Sequence, residues 1–247
     1  MDLTGKAALV SGASGGLGRR IASALGEAGV DVAVGWSGGA DRMGEVCAEV
    51  RATGRLAHPV RLDLRAPETL DKAVADAFEA FGRLDILVNA AGAAGGPPGD
   101  LEALDAAAWD RLHEINLRGP YLLTRAAAPH LRAAQGAVVN IGSTIGLGTW
   151  GADLPYMPTK SAVVGLTRFL AAALAPEVRV NCVAPGLMTG TQMSGGASEG
   201  FVDAWREAAA LKTTTSMDDV ADQALAFCRA ETVTGQTLVV DGGLTFR

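Results

Sequence analysis

The chain has 247 residues, of which 49% are hydrophobic and 19% charged, so it can bury a sizeable core and is not a disordered chain. Its net charge of −6 disfavours nucleic acid and anionic membranes as partners. No apolar run is long enough to span a membrane, and residues 1–6 do not form a signal peptide. We therefore expect a cytoplasmic protein without a membrane partner.

The cysteines and histidines form no pattern that predicts a special site. The three cysteines are scattered and odd in number, as expected of buried thiols in a reducing compartment. The three histidines lack ligand spacing, so no metal site is predicted.

The chain begins with the pattern of a strand, a glycine-rich turn and a helix. Residues 6–11 are apolar, and the helix that follows has one apolar face and ends near Gly29. Glycines let the backbone approach a pyrophosphate, and a helix N-terminus presents free N–H groups to it. We expect a dinucleotide here, and the structural alternative is a tight turn that packs the helix on the strand. The candidate cofactor-binding residues are Gly12, Ser14, Gly15, Gly16, Leu17 and Gly18.

The second unit is a strand over 31–35 and a helix over 40–52. The end of the second strand meets the adenosine ribose in dinucleotide folds. No carboxylate stands there. Ser37 is a candidate donor to a 2′-phosphate, and Trp36 is a candidate cover for the ribose or adenine. Arg42 is either a phosphate contact or, as we favour, a solvated helix arginine.

The third and fourth strands are predicted over 55–60 and 84–88, with a helix between them that begins at Pro67. Small residues after the fourth strand let the backbone run close to a flat ligand. An exposed loop over 93–101 follows. The candidate cofactor contacts in this region are Asn89, Ala90, Ala91 and Gly92.

Residues 105–131 predict one bent helix or two, with the amide of Asn116 in an apolar, buried context. A strand over 136–141 precedes Ser143. The next helix begins at Tyr156, and Lys160 lies one turn later on the same face. A nearby ammonium favours the phenolate and lowers the phenol pKa, so this pair is a plausible proton donor and acceptor for a carbonyl or an alcohol.

The last part of the chain carries a sixth strand over 178–183, a helix over 218–227 and a seventh strand over 237–240. Residues 187–212 between them hold a helix over 199–211 and many large apolar side chains. This segment is interpreted as a substrate lid, with a poorly packed surface excursion as the alternative. The candidate substrate contacts are Ser143, Leu147, Trp150, Met188, Met193 and Trp205.

The alternation of strands and helices predicts a doubly wound, parallel, seven-stranded sheet with helices on both faces, in a single domain over 1–247. The candidate residues follow the carboxyl ends of predicted strands, where ligands bind in open α/β sheets. This clustering carries more weight than any single motif.

The chain resembles the short-chain dehydrogenase/reductase family over essentially its full length, and within it the 3-oxoacyl-carrier-protein reductase-like branch. The motifs fall in the family's order and spacing, including thirteen positions from Ser143 to Tyr156. The matching residues are Gly12, Gly16, Gly18, Asp63, Asn89–Gly92, Asn116, Ser143, Tyr156, Lys160, Arg179–Asn181, Pro185 and Gly186.

The resemblance implies a Rossmann-like fold, a nicotinamide cofactor and a Ser-Tyr-Lys-Asn catalytic group. Tyr156 would exchange a proton with the substrate oxygen, and Ser143 would orient that oxygen. Lys160 would lower the tyrosine pKa and bind the nicotinamide ribose, while Asn116 would hold a water that links Lys160 to solvent. Asp63 would accept from the adenine amino group, and the backbone of Leu64 would frame the ring. Cofactor contacts are also implied at Pro185, Gly186, Met188 and Thr189, with Thr189 or Thr191 on the carboxamide.

Departures from the family pattern bear on the cofactor and substrate. The arginine that many NADP-dependent members carry at Gly15 is missing, and so is the acid that NAD-dependent members carry near Trp36. The missing acid favours NADP(H), with NAD(H) possible. The positions of the basic residues that dock an acidic carrier match Ala134 and either Ala172 or Ala173, so a small apolar ketone or alcohol is favoured over a carrier-bound substrate.

The two long helices commonly pair between subunits in this family. Alanine-rich faces allow close helix approach, so a homotetramer is expected, with a solvated helix face as the alternative. A non-catalytic dinucleotide sensor is the remaining functional alternative. It is disfavoured because the whole catalytic group is present.

Overall fold

The protein folds around one parallel seven-stranded sheet, as expected from the sequence. The computed structural model describes residues 1–94, 102, 105–148 and 155–246. The strand order is β3-β2-β1-β4-β5-β6-β7. The strands are β1 Ala7–Ser11, β2 Asp31–Trp36, β3 Ala57–Arg61, β4 Ile86–Asn89, β5 Ala137–Ile141, β6 Arg179–Pro185 and β7 Thr237–Val240.

Helices cover both faces of the sheet, because consecutive parallel strands need crossover connections. Their bounds agree with the predicted elements to within a few residues. The helices are α1 Gly16–Glu27, α2 Ala40–Ala52, α3 Glu68–Phe81, α4 Ala106–His113, α5 Gly119–Ala133, α6 Tyr156–Leu174, α7 Glu199–Ala208 and α8 Met217–Arg229.

Two apolar cores lie on the two faces of the sheet. On one face α1, α2 and α8 bury side chains such as Ile21, Val50 and Val220 against the strands. On the other face α3, α5 and α6 bury side chains such as Leu123 and Leu170. Every residue of β1 and β5 is buried, which is why both segments are apolar except for Ser11 and Asn140.

The region left open as one bent helix or two consists of α4 and α5, joined by a π-helical turn over Glu114–Arg118. A π-turn adds one residue to a helical turn and often occurs at a functional site. Asn116 is the buried residue of this turn. The two α-helices are thus separate in geometry but continuous in the chain.

A row of small polar residues crosses the sheet near the ends of its central strands. Ser11 is in register with Asn89, Asn89 with Asn140, and Asn140 with Cys182. The Asn89 Nδ2 donates to Asn140 Oδ1 at 2.8 Å, and the Asn140 Nδ2 donates to Thr167 Oγ1 of α6 at 2.9 Å. The row thereby ties the strands to the helix that carries Tyr156.

Candidate active site

A cavity of about 700 Å³ lies at the carboxyl ends of the strands, where the sequence motifs were expected to meet. This size is typical of cofactor and ligand sites. The glycine turn, the ends of β4 and β5, the start of α6 and the segment after β6 all contribute to its lining. Of the candidate cofactor residues, those in the lining are Gly12, Ser14, Gly15, Gly16, Leu17, Gly18, Ser37, Asp63, Leu64, Ala90, Ala91, Gly92, Tyr156, Lys160, Pro185, Gly186 and Met188.

The glycine turn forms a cradle that larger residues would fill. Gly12 has φ +68°, and a Cβ at this position would lie 2.7 Å from the Ala91 Cα. A Cβ on Gly18 would lie 2.8 Å from the Gly12 carbonyl carbon. The first turn of α1 thus closes directly onto the end of β1, and its residues Gly16, Leu17 and Gly18 line the cavity. This arrangement fits a dinucleotide pyrophosphate.

Polar and basic residues line the adenosine end of the cavity. Ser37 and Arg42 lie here, and the Arg42 side chain folds over Gly39. The carboxylate of Asp63 accepts from the Arg65 guanidinium, with Oδ2 2.9 Å from NH2. This hydrogen bond is the main reason that the pKa of Asp63 lies below its usual value. Asp63 is therefore an ionised group whose charge is largely matched by Arg65.

Three cofactor candidates, Trp36, Asn89 and Thr189, lie outside the lining. Trp36 packs under the guanidinium of Arg61, whose Cζ is 5.0 Å from the ring centroid. The buried Asn89 donates to Thr124 and Asn140 beneath the cavity floor. Asn89 supports the strand ends from below, and the small residues after it form the surface that faces the cavity.

Ser143, Tyr156 and Lys160 line the opposite end of the same cavity, and all three are buried. The Lys160 Nζ lies 5.6 Å from the Tyr156 ring centroid and donates to the Ile141 carbonyl at 2.8 Å. Burial lowers the pKa of Lys160 to about 8. A buried ammonium beside a phenol stabilises the phenolate, which is what acid–base work at a carbonyl requires.

Asn116 lies behind this group, next to Lys160. Its Oδ1 accepts from the Ala93 N–H at 2.8 Å, and its Nδ2 donates to the Ala93 carbonyl at 2.8 Å and to Thr159 Oγ1 at 3.0 Å. A Cβ on Gly92 would lie 3.4 Å from Asn116 Oδ1 and 3.6 Å from Lys160 Nζ. The absence of a side chain at Gly92 thus leaves the space between these two groups open.

Comparison with known proteins decides the family. A family profile described as Enoyl-(Acyl carrier protein) reductase matches residues 12–245. The 3-oxoacyl-[acyl-carrier-protein] reductase FabG of Staphylococcus epidermidis is 33% identical over 243 residues, which cover 97% of this chain and 98% of the relative. A short-chain dehydrogenase/reductase of Serratia marcescens BCRC 10948 has a similar solved structure, with TM-score 0.92, 32% identity and 100% of each chain covered.

The chain belongs to the short-chain dehydrogenase/reductase family. It is an NAD(P)-dependent oxidoreductase, and the expected fold is confirmed. A short chain dehydrogenase from Burkholderia cenocepacia J2315, solved in complex with NADP, has TM-score 0.90 and 35% identity, with 99% of each chain covered. No helix among the described residues is both long and apolar enough to cross a membrane.

The structure brings some of the candidate substrate residues of this dehydrogenase/reductase to the cavity. Met188, Met193 and Trp205 line the cavity, and a Cβ on Gly92 would lie 3.9 Å from the Met193 Cε. Leu147 is half-buried outside the lining, and Trp150 lies outside the described residues. Thr189 is exposed and does not reach the cavity, whereas Thr191 packs against Gly16.

Several lining residues were not singled out as site candidates from the sequence. The conformation of the loops brings these residues to the cavity, and no local sequence pattern predicts that conformation. For Ile145 the signal was its place two residues after Ser143, and for Phe201 its place on α7, one turn before Trp205. Further lining residues include Arg65, Ala93, Ala94, Ile115, Gln192 and Ser194.

Proposed function

We propose that this enzyme transfers a hydride between NADP(H) and a small, largely apolar ketone or secondary alcohol. One observation carries the proposal. Tyr156, Ser143 and the buried Lys160 line the same cavity as the glycine cradle, so a dinucleotide on the cradle would extend toward the phenol. The nicotinamide, when bound, supplies or accepts the hydride.

The side chains of this chain supply the proton chemistry in the proposal. Tyr156 gives its proton to the ketone oxygen, or takes one from the alcohol. Ser143 donates a hydrogen bond to the same oxygen, and Lys160 stabilises the phenolate that remains. Asn116, held by Ala93 and Thr159, keeps a polar path open beside Lys160.

The apolar substrate follows from the walls of the cavity beyond Ser143. Ile145, Met193 and Phe201 form these walls. Methionines there give an adaptable surface. The charged lining residues within the described part of the chain are Lys160 and, at the adenosine end, Arg42, Asp63 and Arg65. A charged substrate group beyond Ser143 would therefore lose its hydration without a matching partner.

Relative turnover of ketones tests this assignment. Ethyl 3-oxobutanoate, which is neutral, should be reduced at least 10-fold more efficiently than 3-oxobutanoate, which is charged. The readout is the loss of reduced nicotinamide absorbance. Equal kcat/KM for the two compounds would refute the apolar site.

We propose a preference for NADP(H) because of the charged residues that line the adenosine end of the cavity. Arg42 forms no ion pair with any described residue, and the lining there contains no acid except Asp63, which Arg65 holds. A 2′-phosphate near Ser37 would lie within reach of this guanidinium. The arginine first interpreted as a solvated helix residue thus becomes the main candidate for phosphate recognition.

Replacing Arg42 by Ala should raise the KM for NADPH about 10-fold and leave the KM for NADH unchanged, because only the 2′-phosphate loses a charged partner. Paired steady-state assays with both cofactors measure the effect. Arg51→Ala, at the other end of α2, is the matched control and should leave both values unchanged. Equal effects of Arg42→Ala on both cofactors would contradict the assignment.

A 3-oxoacyl-carrier-protein reductase is the second candidate, favoured by the Staphylococcus relative. Against it, residues 134, 172 and 173 are alanines. The nearby Arg132 is engaged by Glu177 and by the Ala173 carbonyl. Turnover of a carrier-bound 3-oxoacyl chain far above that of the matching N-acetylcysteamine thioester would establish this alternative.

We also propose a cytoplasmic homotetramer. Tyr121, Phe169 and Trp109 are partly exposed on the helices expected to pair, and all three cysteines are free and buried. A subunit interface would cover these aromatic side chains. Light scattering during size-exclusion chromatography measures the mass, and a monomeric mass at micromolar concentration would refute the assembly.

A further inference from the structure

Gly146 lies where the segment after Ser143 meets α6. It belongs to a 3₁₀ turn over Thr144–Leu147, which Ser143 caps by accepting from the Ile145 N–H. A Cβ on Gly146 would lie 2.5 Å from the Lys160 carbonyl carbon and 2.7 Å from the Ser161 nitrogen. These are backbone atoms, which cannot rotate away. Gly146 is not among the glycines with positive φ, so the requirement for glycine is steric and not conformational.

A hydrogen bond closes the same contact. The Ser161 hydroxyl donates to the Gly146 carbonyl at 2.7 Å, although Ser161 is otherwise exposed. Ser161 immediately follows Lys160 on α6. The turn is therefore fixed to the helix at the peptide that joins the catalytic lysine to its neighbour.

The segment is fixed to α6 at a second point as well. The Lys160 Nζ donates to the carbonyl of Ile141, two residues before Ser143. Ser143 thus lies between two attachments, Ile141 to Lys160 and Gly146 to Ser161. On the other flank of the helix, Asn116 donates to Thr159. The first turns of α6 are held on both sides.

We propose that Gly146 and Ser161 are positioning residues that set the separation between the Ser143 and Tyr156 hydroxyl groups. This inference rests on the proposed function, in which both hydroxyls meet one substrate oxygen. Displacement of a catalytic donor by about 1 Å lowers turnover about 100-fold, so a fixed separation affects kcat strongly. Neither residue lies in the glycine cradle, so the contacts of the cradle with the pyrophosphate do not depend on them.

The test compares wild type with Gly146→Ala and Ser161→Ala, using ethyl 3-oxobutanoate and NADPH. Gly146→Ala should lower kcat about 100-fold, and Ser161→Ala about 5-fold, with KM for NADPH within about twofold of wild type. Ser161→Thr, which keeps the hydroxyl, should restore kcat. Gly44→Ala is the matched control, because Gly44 lies within α2 with nothing within 4 Å of its Cβ position.

Crystal structures of wild type and Gly146→Ala provide a readout that needs no turnover. The separation between the Ser143 and Tyr156 hydroxyl oxygens should change by about 0.5 Å or more. An unchanged separation, or wild-type kcat in both alanine variants, overturns the proposal. If Gly146→Ala does not fold, the Ser161 variants test the proposal. It then requires a lower kcat in Ser161→Ala and a recovered kcat in Ser161→Thr. If wild type does not reduce the ketone, the proposed substrate is wrong, and the measured separation still decides the positioning role.

Discussion

Phe in place of Tyr156 should lower kcat about 10³-fold while NADPH binding stays within about twofold of wild type. The phenol is the proposed proton donor. Its ring is buried, and phenylalanine retains every atom of that ring. The change therefore removes the proton without removing the packing. Single-turnover kinetics and quenching of cofactor fluorescence measure the two quantities separately.

The second tyrosine of the chain provides the control. Tyr121 lies on α5, is 38% exposed and is not part of the cavity lining. Tyr121→Phe removes the same atom far from the substrate and should leave kcat unchanged. Wild-type turnover in Tyr156→Phe would show that another group donates the proton, and the proposed mechanism would be wrong.

Lys160→Met should abolish turnover and, at neutral pH, make the fold more stable. Burial lowers the pKa of Lys160 to about 8 from its ordinary value of 10.5. Burying the ammonium therefore costs free energy wherever the lysine is charged in the folded protein. Methionine has a similar length and no charge. We expect the free energy of unfolding to rise by about 2 kcal/mol at pH 7, after the lost hydrogen bond to Ile141 is allowed for.

The pH dependence gives this prediction a direction. Between the folded pKa of about 8 and the unfolded value of 10.5, the unfolded chain binds more protons than the folded protein. The contribution of Lys160 to the free energy of unfolding therefore rises with pH between these two pKa values. Below the folded pKa, the full free-energy cost of burying the ammonium is present. The advantage of Lys160→Met should be largest at pH 7 and shrink by pH 10. Urea unfolding at both values measures it.

Lys72→Met is the matched control, since its side chain is 76% exposed. It should change the free energy of unfolding by less than about 0.5 kcal/mol at either pH. A destabilised Lys160→Met at pH 7 would mean that the ammonium stabilises the fold, contrary to the expectation from burial.

The sequence alone predicted the sheet, the glycine cradle and the Ser143, Tyr156 and Lys160 group. These features are local patterns, or they follow from the rule that parallel strand ends share one edge. Gly146 could not be recognised in this way. Its importance comes from a contact with the backbone of Lys160 and Ser161, which are far along the chain.

The conformation of residues 187–212 could not be predicted from the sequence either. Thr189 and Thr191 are two residues apart with the same chemistry, yet only the second reaches Gly16. Loop geometry decides between them, and the glycines nearby allow many paths. The position of Arg42 depends on loop geometry in the same way. Its side chain is exposed, as expected, and folds over Gly39, which turns the chain with φ +75° just before α2.

The polar row from Ser11 to Cys182 affects the register in which neighbouring strands pair. Since the central strands are apolar on both faces, sliding one of them by two residues would keep each side chain on its own face. Such a slip would separate Asn140 from Asn89 and from Thr167 and leave buried amides unpaired. The row therefore favours the native register of the central strands, which apolar side chains alone would not specify.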